Sequence, residues 1–317
     1  MNIDLSKEAR DYGHAALRAF ESAGGDGIVE AAEINPDERD RLLSGVFSEL
    51  GAWDLAPRKD EDELEAAAAL CRSAGYWAVP YPVAERLSKP VDLDFDGLLV
   101  IADNKPSAAV SGLDLRWVAT TLGGHRSVAV AQPSVGSPRA SAFVASLDLQ
   151  PLDTNGLADV ALGLVLPCWT LLGMLDRAID LTRSHVLLRE QFGKPLATLQ
   201  GVQFQLTDAE AERSGVEVLA KYALWSIETG RPEAVDDALA LRLAAIEAAD
   251  KVFRVAHQLH GASGFCDETA LSWFSRYSLP LRRLPVGLSA TAAALTDQVG
   301  RRGLTGLFDP ADEAGGL

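Results

Sequence analysis

The sequence predicts a mainly α-helical fold with a small β domain in its middle. The expected layout is a helical amino-terminal domain over residues 1–90, a reduced β domain over 91–154 and a carboxyl-terminal four-helix bundle within 155–317. Three observations carry this. Apolar residues recur at helical spacing through the first ninety positions and again from Leu157 onward. Between Pro90 and Thr154 the pattern changes to short β-branched or apolar runs divided by turn residues. A length of 317 residues, 48% apolar and 23% charged, suits two or three packed units better than a single core.

Taken in order, Ala16, Leu17 and Phe20 mark a first helix, and Leu42, Leu43, Val46, Phe47 and Leu50 a later one. Gly24-Gly25-Asp26-Gly27 separates the first helix from the next. A third helix is expected from about Asp62 to Ala74, with Leu64, Ala67, Ala68 and Cys71 on one face. Pro80, Pro82 and Pro90 then oppose further regular helix. Strand-like runs follow at Leu98–Ile101, Trp117–Leu122, Ser127–Ala131 and Ala142–Leu147, with turns at Gly123-Gly124 and from Pro133 to Pro138 around Gly136. These read as a small antiparallel unit. From Leu157 a helical stripe returns through Leu162, Val165, Leu166, Trp169, Leu172, Leu175 and Ile179; Pro167 predicts a kink in it, and Gly193 and Pro195 end it. Helices are then expected over Gln200–Thr229, Ala234–His260 and Leu288–Val299, joined at Gly230-Arg231-Pro232 and Gly261 to Gly264. The tail from Asp309 is acidic and Gly-rich, and is expected to fray.

Lys and Arg total 29 against 45 Asp and Glu, a formal net charge of -16, which repels phosphate backbones and anionic lipid headgroups. Neither nucleic acid nor a membrane is an expected partner. No apolar run reaches the 18 or so residues of a spanning helix, and no basic, greasy leader opens the chain, so a cytoplasmic location is expected. Cys71, Cys168 and Cys266 lie far apart without C-x-x-C spacing, which fits reduced, buried thiols and opposes a zinc site or a disulfide frame. His257 and His260 sit three apart on a helix but lack the further ligands of a metal set.

Two stretches carry the most specific chemistry. Arg189-Glu190-Gln191-Phe192-Gly193-Lys194-Pro195, followed by Gln200-Gly201, sets a fixed cation and an aromatic ring where a helix ends. Gln258-Leu259-His260-Gly261-Ala262-Ser263-Gly264-Phe265, shortly before Glu268 and Arg276, sets a Gly-rich turn beside an amide. Both suit a planar ligand that carries phosphate, because Arg pairs phosphate oxygens bidentately and small residues admit close backbone approach. The same residue types also describe a surface charge favoured by a helix carboxyl terminus and ordinary glycine caps.

In this order and at this separation, the two stretches resemble the carboxyl-terminal domain of the acyl-CoA dehydrogenase family over roughly Leu157 to Ala294, with a looser helical likeness over residues 1–90. The resemblance implies FAD held by a neighbouring subunit, with Arg189 on its pyrophosphate and Phe192 along the cofactor. Gln200 matches the family glutamine that follows, and Gln258 and Gly261 match the turn at the adenosine half, where Ala262 replaces a second glycine. Two departures matter. The positions at which family members carry their glutamate base are Val286, beside Gly287, and Gly163, and neither can take a proton. Asp159 and Asp176 are the nearby carboxylates, each read as exposed or capping. The middle region also lacks a Thr-Glu-Pro-x-Ala-Gly-Ser-Asp-like stretch, and Trp117, with Thr120 three residues on, reads as a buried strand tryptophan.

The resemblance therefore implies no catalytic residue in this chain. It implies the base-lacking subunit of a heteromeric, FAD-dependent acyl-CoA dehydrogenase. A full-length homologue in an α2β2 assembly, of the type used on steroid-derived thioesters in actinobacteria, would supply the base and most of the flavin pocket. Two alternatives stand beside it: an inert scaffold or regulatory homologue that binds no flavin, and an enzyme acting alone through another carboxylate.

Overall fold

A computed structural model describes residues 3–132 and 143–303. The turn expected from Pro133 to Pro138, the first residue of the Ala142–Leu147 run and the tail from Asp309 lie outside the described residues. Five helices open the chain: α1 (Lys7–Ser22), α2 (Gly27–Ile34), α3 (Arg39–Glu49), α4 (Glu61–Tyr76) and α5 (Val83–Leu87). Ser6 caps α1 by accepting from the Ala9 amide, and Asp60 caps α4 by accepting from the Glu63 amide. The short α5 corrects the expectation that the prolines exclude further helix. Pro82 stands at its N-cap, where a missing N–H costs nothing, and Pro90 lies beyond its end.

The sheet contains β1 (Gly97–Ile101), β2 (Ser107–Ala108), β3 (Trp117–Thr121), β4 (His125–Ala131) and β5 (Ala145–Asn155), in the order β1-β3-β4-β5-β2. It is mixed rather than antiparallel, because β1 and β3 pair in parallel while β3-β4, β4-β5 and β5-β2 are antiparallel. After β1 the chain does not turn straight back; it detours through β2 at the far edge and returns to enter β3 in the original direction. Leu99, Ile101, Trp117, Ala119, Ala129 and Leu147 fill one face as a small core. Trp117 is buried there, and its ring lies so close over Gly97 that a Cβ at Gly97 would come within 2.4 Å of it.

The remaining chain forms α6 (Leu157–Leu188), the hairpin β6 (Glu190–Gln191) and β7 (Lys194–Pro195), then α7 (Gln200–Glu228), α8 (Ala234–His260), α9 (Ala270–Arg283) and α10 (Leu288–Arg302). Five helices therefore stand where four were expected. The additional one, α9, buries Leu271, Phe274 and Ser278 along one stripe but is short and contains Pro280, so its period is easily read as interrupted. The helix α6 runs on through Pro167. It also corrects the reading that no run is long and apolar enough to cross a membrane: 18 of its residues pass that test, and most of them are buried in the core.

One core runs through both helical regions. It is drawn tight where α4 crosses α6 at two glycines: a Cβ on Gly75 would lie 1.9 Å from the Thr170 carbonyl oxygen, and one on Gly173 would lie 1.9 Å from that of Arg72. Beside this crossing, Asp176 accepts from Arg72 at 2.7 Å and from Arg213 of α7 at 3.2 Å. The sheet is fixed to α6 by a second charge cluster. Arg126 of β4 donates to Asp159 at 2.5 Å and to Asp92 at 2.6 Å, and Arg58 stands 3.3 Å from Asp159. Asp159 is thus buried rather than exposed, and Asp176 is largely buried as well. Each carboxylate neutralises arginines drawn from distant parts of the chain.

Candidate functional site

The last turn of α6 closes with the Arg189 amide donating to the His185 carbonyl at 2.8 Å, after which the Leu196 amide donates back to the Arg189 carbonyl at 2.8 Å. This leaves the four-residue β6-β7 ladder with Phe192 and Gly193 at its tip, at φ +55° and +74°. Two successive left-handed residues are the signature of a two-residue hairpin turn, and glycine adopts that conformation freely. Phenylalanine does not; a left-handed L-residue costs roughly 1–2 kcal/mol. A strained turn therefore holds an aromatic ring that is 88% exposed. Arg189 is exposed too, and among the described residues its guanidinium has no ion-pair or hydrogen-bond partner.

Gln200 opens α7 just beyond the hairpin and is exposed. Gln258 is exposed on the last turn of α8, and Gly261 ends that helix at φ +62°, with its amide donating to the His257 carbonyl and open space where a Cβ would stand. The two stretches meet through their histidines: His185 of α6 and His260 of α8 stack at 4.3 Å between ring centroids, tilted by 23°. His257 stacks on Phe265 of the following turn. One end of the bundle thus gathers Arg189, Phe192, Gln200, Gln258 and Gly261, together with exposed Leu187, Leu188, Phe204 and Phe265. Exposed large apolar residues gathered at one end are the kind of surface an interface uses.

The two positions expected for a base are Gly163 and Val286, and neither side chain accepts a proton. A Cβ on Gly163 would lie 2.5 Å from Cγ2 of Val100 and 3.2 Å from Cδ2 of Leu98, so β1 fills the space a longer side chain would need. The Val286 carbonyl accepts from the buried Arg242 at 2.8 Å, and Arg242 also donates to the Leu281 and Leu284 carbonyls at 3.1 and 2.5 Å. That guanidinium fixes the loop ahead of α10 by its backbone, with an apolar side chain at the position in question.

Between α5, β1, α6 and α9 lies a cavity of about 120 Å³, lined by Tyr81, Glu85, Val100, Gly163, Thr170 and Leu281 among others. Glu85 is the residue that sequence reasoning missed. Burial pushes its carboxyl above the ordinary value, with Arg39 opposing that shift. Within Val83-Ala84-Glu85-Arg86-Leu87, in a proline-flanked segment, it carried no local signal beyond being one acid among apolar neighbours.

Fold and exposed hairpin together define an acyl-CoA dehydrogenase-like architecture. Residues 164–286 match the family profile described as acyl-CoA dehydrogenase, C-terminal domain. Among curated proteins, the acryloyl-CoA reductase (NADH) of Anaerotignum propionicum is 34% identical over 100 residues, 32% of this chain and 25% of that protein. The acyl-CoA dehydrogenase FadE28 of Mycobacterium tuberculosis is 33% identical over 92 residues, 29% of this chain and 27% of that protein. The chain therefore spans only about a quarter of the length of the curated relatives it matches. Solved structures extend the likeness over nearly the whole fold. A chain of the ChsE4-ChsE5 complex from Mycobacterium tuberculosis superposes with a TM-score of 0.72 at 14% identity, covering 96% of this chain and all of that one. A chain of the Tcur3481-Tcur3483 steroid acyl-CoA dehydrogenase variant gives 0.71 at 20% identity, covering 94% and 99%. The fold is that of the acyl-CoA dehydrogenases, and the comparisons support that family.

FAD is the cofactor the family implies, and the residues present fit one half of it. The Arg189 guanidinium, without a partner among the described residues, and the exposed amides of Gln200 and Gln258 are donor groups of the kind a pyrophosphate and an adenosine would need. Trp117 is sealed in the sheet core, as its reading as a buried strand tryptophan expects.

Proposed function

We propose that this chain is the base-lacking subunit of a heteromeric, FAD-dependent acyl-CoA dehydrogenase that desaturates an acyl-CoA thioester between its α and β carbons. Its partner would be a longer homologue in an α2β2 assembly, and steroid-derived thioesters are the substrate class suggested by the similar heteromeric steroid enzyme. The observation that carries this proposal is the strained, exposed Phe192 hairpin with Arg189 beside it, left without partners among the described residues.

In this assembly Arg189 pairs with the pyrophosphate of the FAD held by the partner, and Phe192 covers the cofactor from solvent. Gln200 and Gln258 would take the adenosine half, which the open space at the Gly261 turn leaves room to approach. FAD held there would supply the acceptor for the β-hydrogen as hydride, and the α-proton would pass to a base on the partner, which would have to stand on the opposite face of the thioester. This chain holds the cofactor's far end and excludes water there; it moves no proton.

The visible spectrum and turnover of the chain purified alone, and then with a longer homologue encoded beside it, test this. Yellow and active only together supports the proposal; colourless preparations in both cases favour an inert scaffold. The cavity favours one rival, an enzyme acting alone with Glu85 as its base. That rival expects a yellow, active single chain whose turnover is lost in Glu85→Gln.

A further inference from the structure

His185 and His260 come from helices 75 positions apart in the chain, yet their rings lie face to face directly beneath the two segments assigned above to the cofactor. His185 is one turn before Arg189, and its carbonyl takes the Arg189 amide that starts the hairpin. His260 is two residues after Gln258 and immediately before Gly261. Its Nδ1 lies 2.9 Å from the Ala256 carbonyl, an oxygen that can only accept, so Nδ1 carries the proton and the ring is held in one orientation.

We infer that the stacked His185–His260 pair is a positioning unit that fixes the Arg189 hairpin against the Gln258–Gly261 turn, and that charging the pair in acid uncouples the two segments. The inference rests on the proposed function for its consequence, though not for its geometry.

Neutral imidazoles stack readily, whereas a proton on either ring places a cation against the other ring and near Arg189. Burial is the first cause that lowers both titrations; Arg189 adds to it at His185, and His185 and His257 add to it at His260. Arg282 acts in turn on His257. The turns packed against the pair, residues 261–265 and 196–198, carry no ionisable side chain, so no carboxylate in them offsets the charge. Because both values fall below the ordinary histidine value of 6.5, the joint is complete above that pH. It is lost as pH falls through the lowered folded values.

Hydrogen exchange of the full chain at pH 7.5 and near pH 5, corrected for intrinsic rate, tests the inference on amides 189–196 and 258–264. Acid should raise exchange in both segments together by roughly 2- to 10-fold, the size set by losing an aromatic pair. His185→Phe/His260→Phe, which keeps two facing rings but removes both titrating groups, should hold both segments equally protected at the two pH values; His185→Ala should loosen both at either pH. An acid response in the double variant equal to the unmodified chain, or loosening of one segment without the other, would overturn the inference. Retention of FAD by the assembled complex is read separately. If both segments loosen in acid while FAD stays bound, the positioning unit stands and the cofactor contact proposed above fails.

Discussion

The two ends of α6 are built in opposite ways. At its amino-terminal end Asp159 is buried between Arg126 and Arg58, Asp92 completes the cluster, and Gly163 brings the helix against β1 with no room for another methyl group. At its carboxyl-terminal end Arg189 has no partner among the described residues, and Leu188 and Phe192 stand in solvent. Charge that is paired and buried belongs to the architecture, since separating it leaves an unsolvated ion. Charge that is unpaired, beside a strained aromatic and an apolar surface, is unfinished within one chain. The first end explains how the sheet is held; the second is the end that the proposed partner would complete.

The sharpest way to break this comparison is at the closed end. Asp159→Ala leaves Arg126 and Arg58 facing each other without a carboxylate between them, and should cost about 3–5 kcal/mol of stability in denaturant unfolding, the usual penalty for halving a buried pair. Arg189→Ala at the open end should do the reverse. Stability should stay within about 0.5 kcal/mol, as for a surface substitution, while the assembled complex loses on the order of 2–3 kcal/mol of FAD binding by titration. Equal losses of stability at both sites would erase the distinction drawn between them.

Glu85 gives a pH-dependent version of the same contrast, because its carboxyl lines the cavity and has no salt bridge among the described residues. Its folded value is raised, so its contribution to stability is full below the ordinary carboxylate value of 4.5 and is lost as pH rises through the raised folded value. Glu85→Gln should therefore match the unmodified chain near pH 4 and become relatively more stable toward pH 7, as read by urea midpoints. The smallest effect is expected from Phe192→Gly. Relief of the left-handed strain should leave the isolated chain unchanged or up to about 1 kcal/mol more stable, while assembly with the partner weakens. A destabilised isolated chain would show that Phe192 serves the fold after all.

Much of the helical frame was legible because its apolar stripes repeat every 3.6 residues. The bounds of α8, Ala234–His260, coincide with the expected helix, and α7 begins at Gln200 as read. The parallel pairing of β1 with β3 was not legible, since a strand's local alternation does not encode the direction of its neighbour. The pairing of Asp159 with Arg58 was hidden for a related reason. The two residues are 101 positions apart, and no local pattern distinguishes a carboxylate that neutralises a distant arginine from one that caps a helix. The Arg189 and Gln258 stretches were found by motif alone. Their common end of the bundle depends on the His185–His260 stack, which neither motif specifies.

The central claim is that this chain lends its open end to a cofactor site it does not itself complete. Counting flavin against protein in the purified complex, with its mass measured in solution, tests that most directly. Two copies of each chain and one FAD per heterodimer are expected, with none retained by this chain alone. Two FAD per heterodimer, or stoichiometric FAD on the isolated chain, would contradict it.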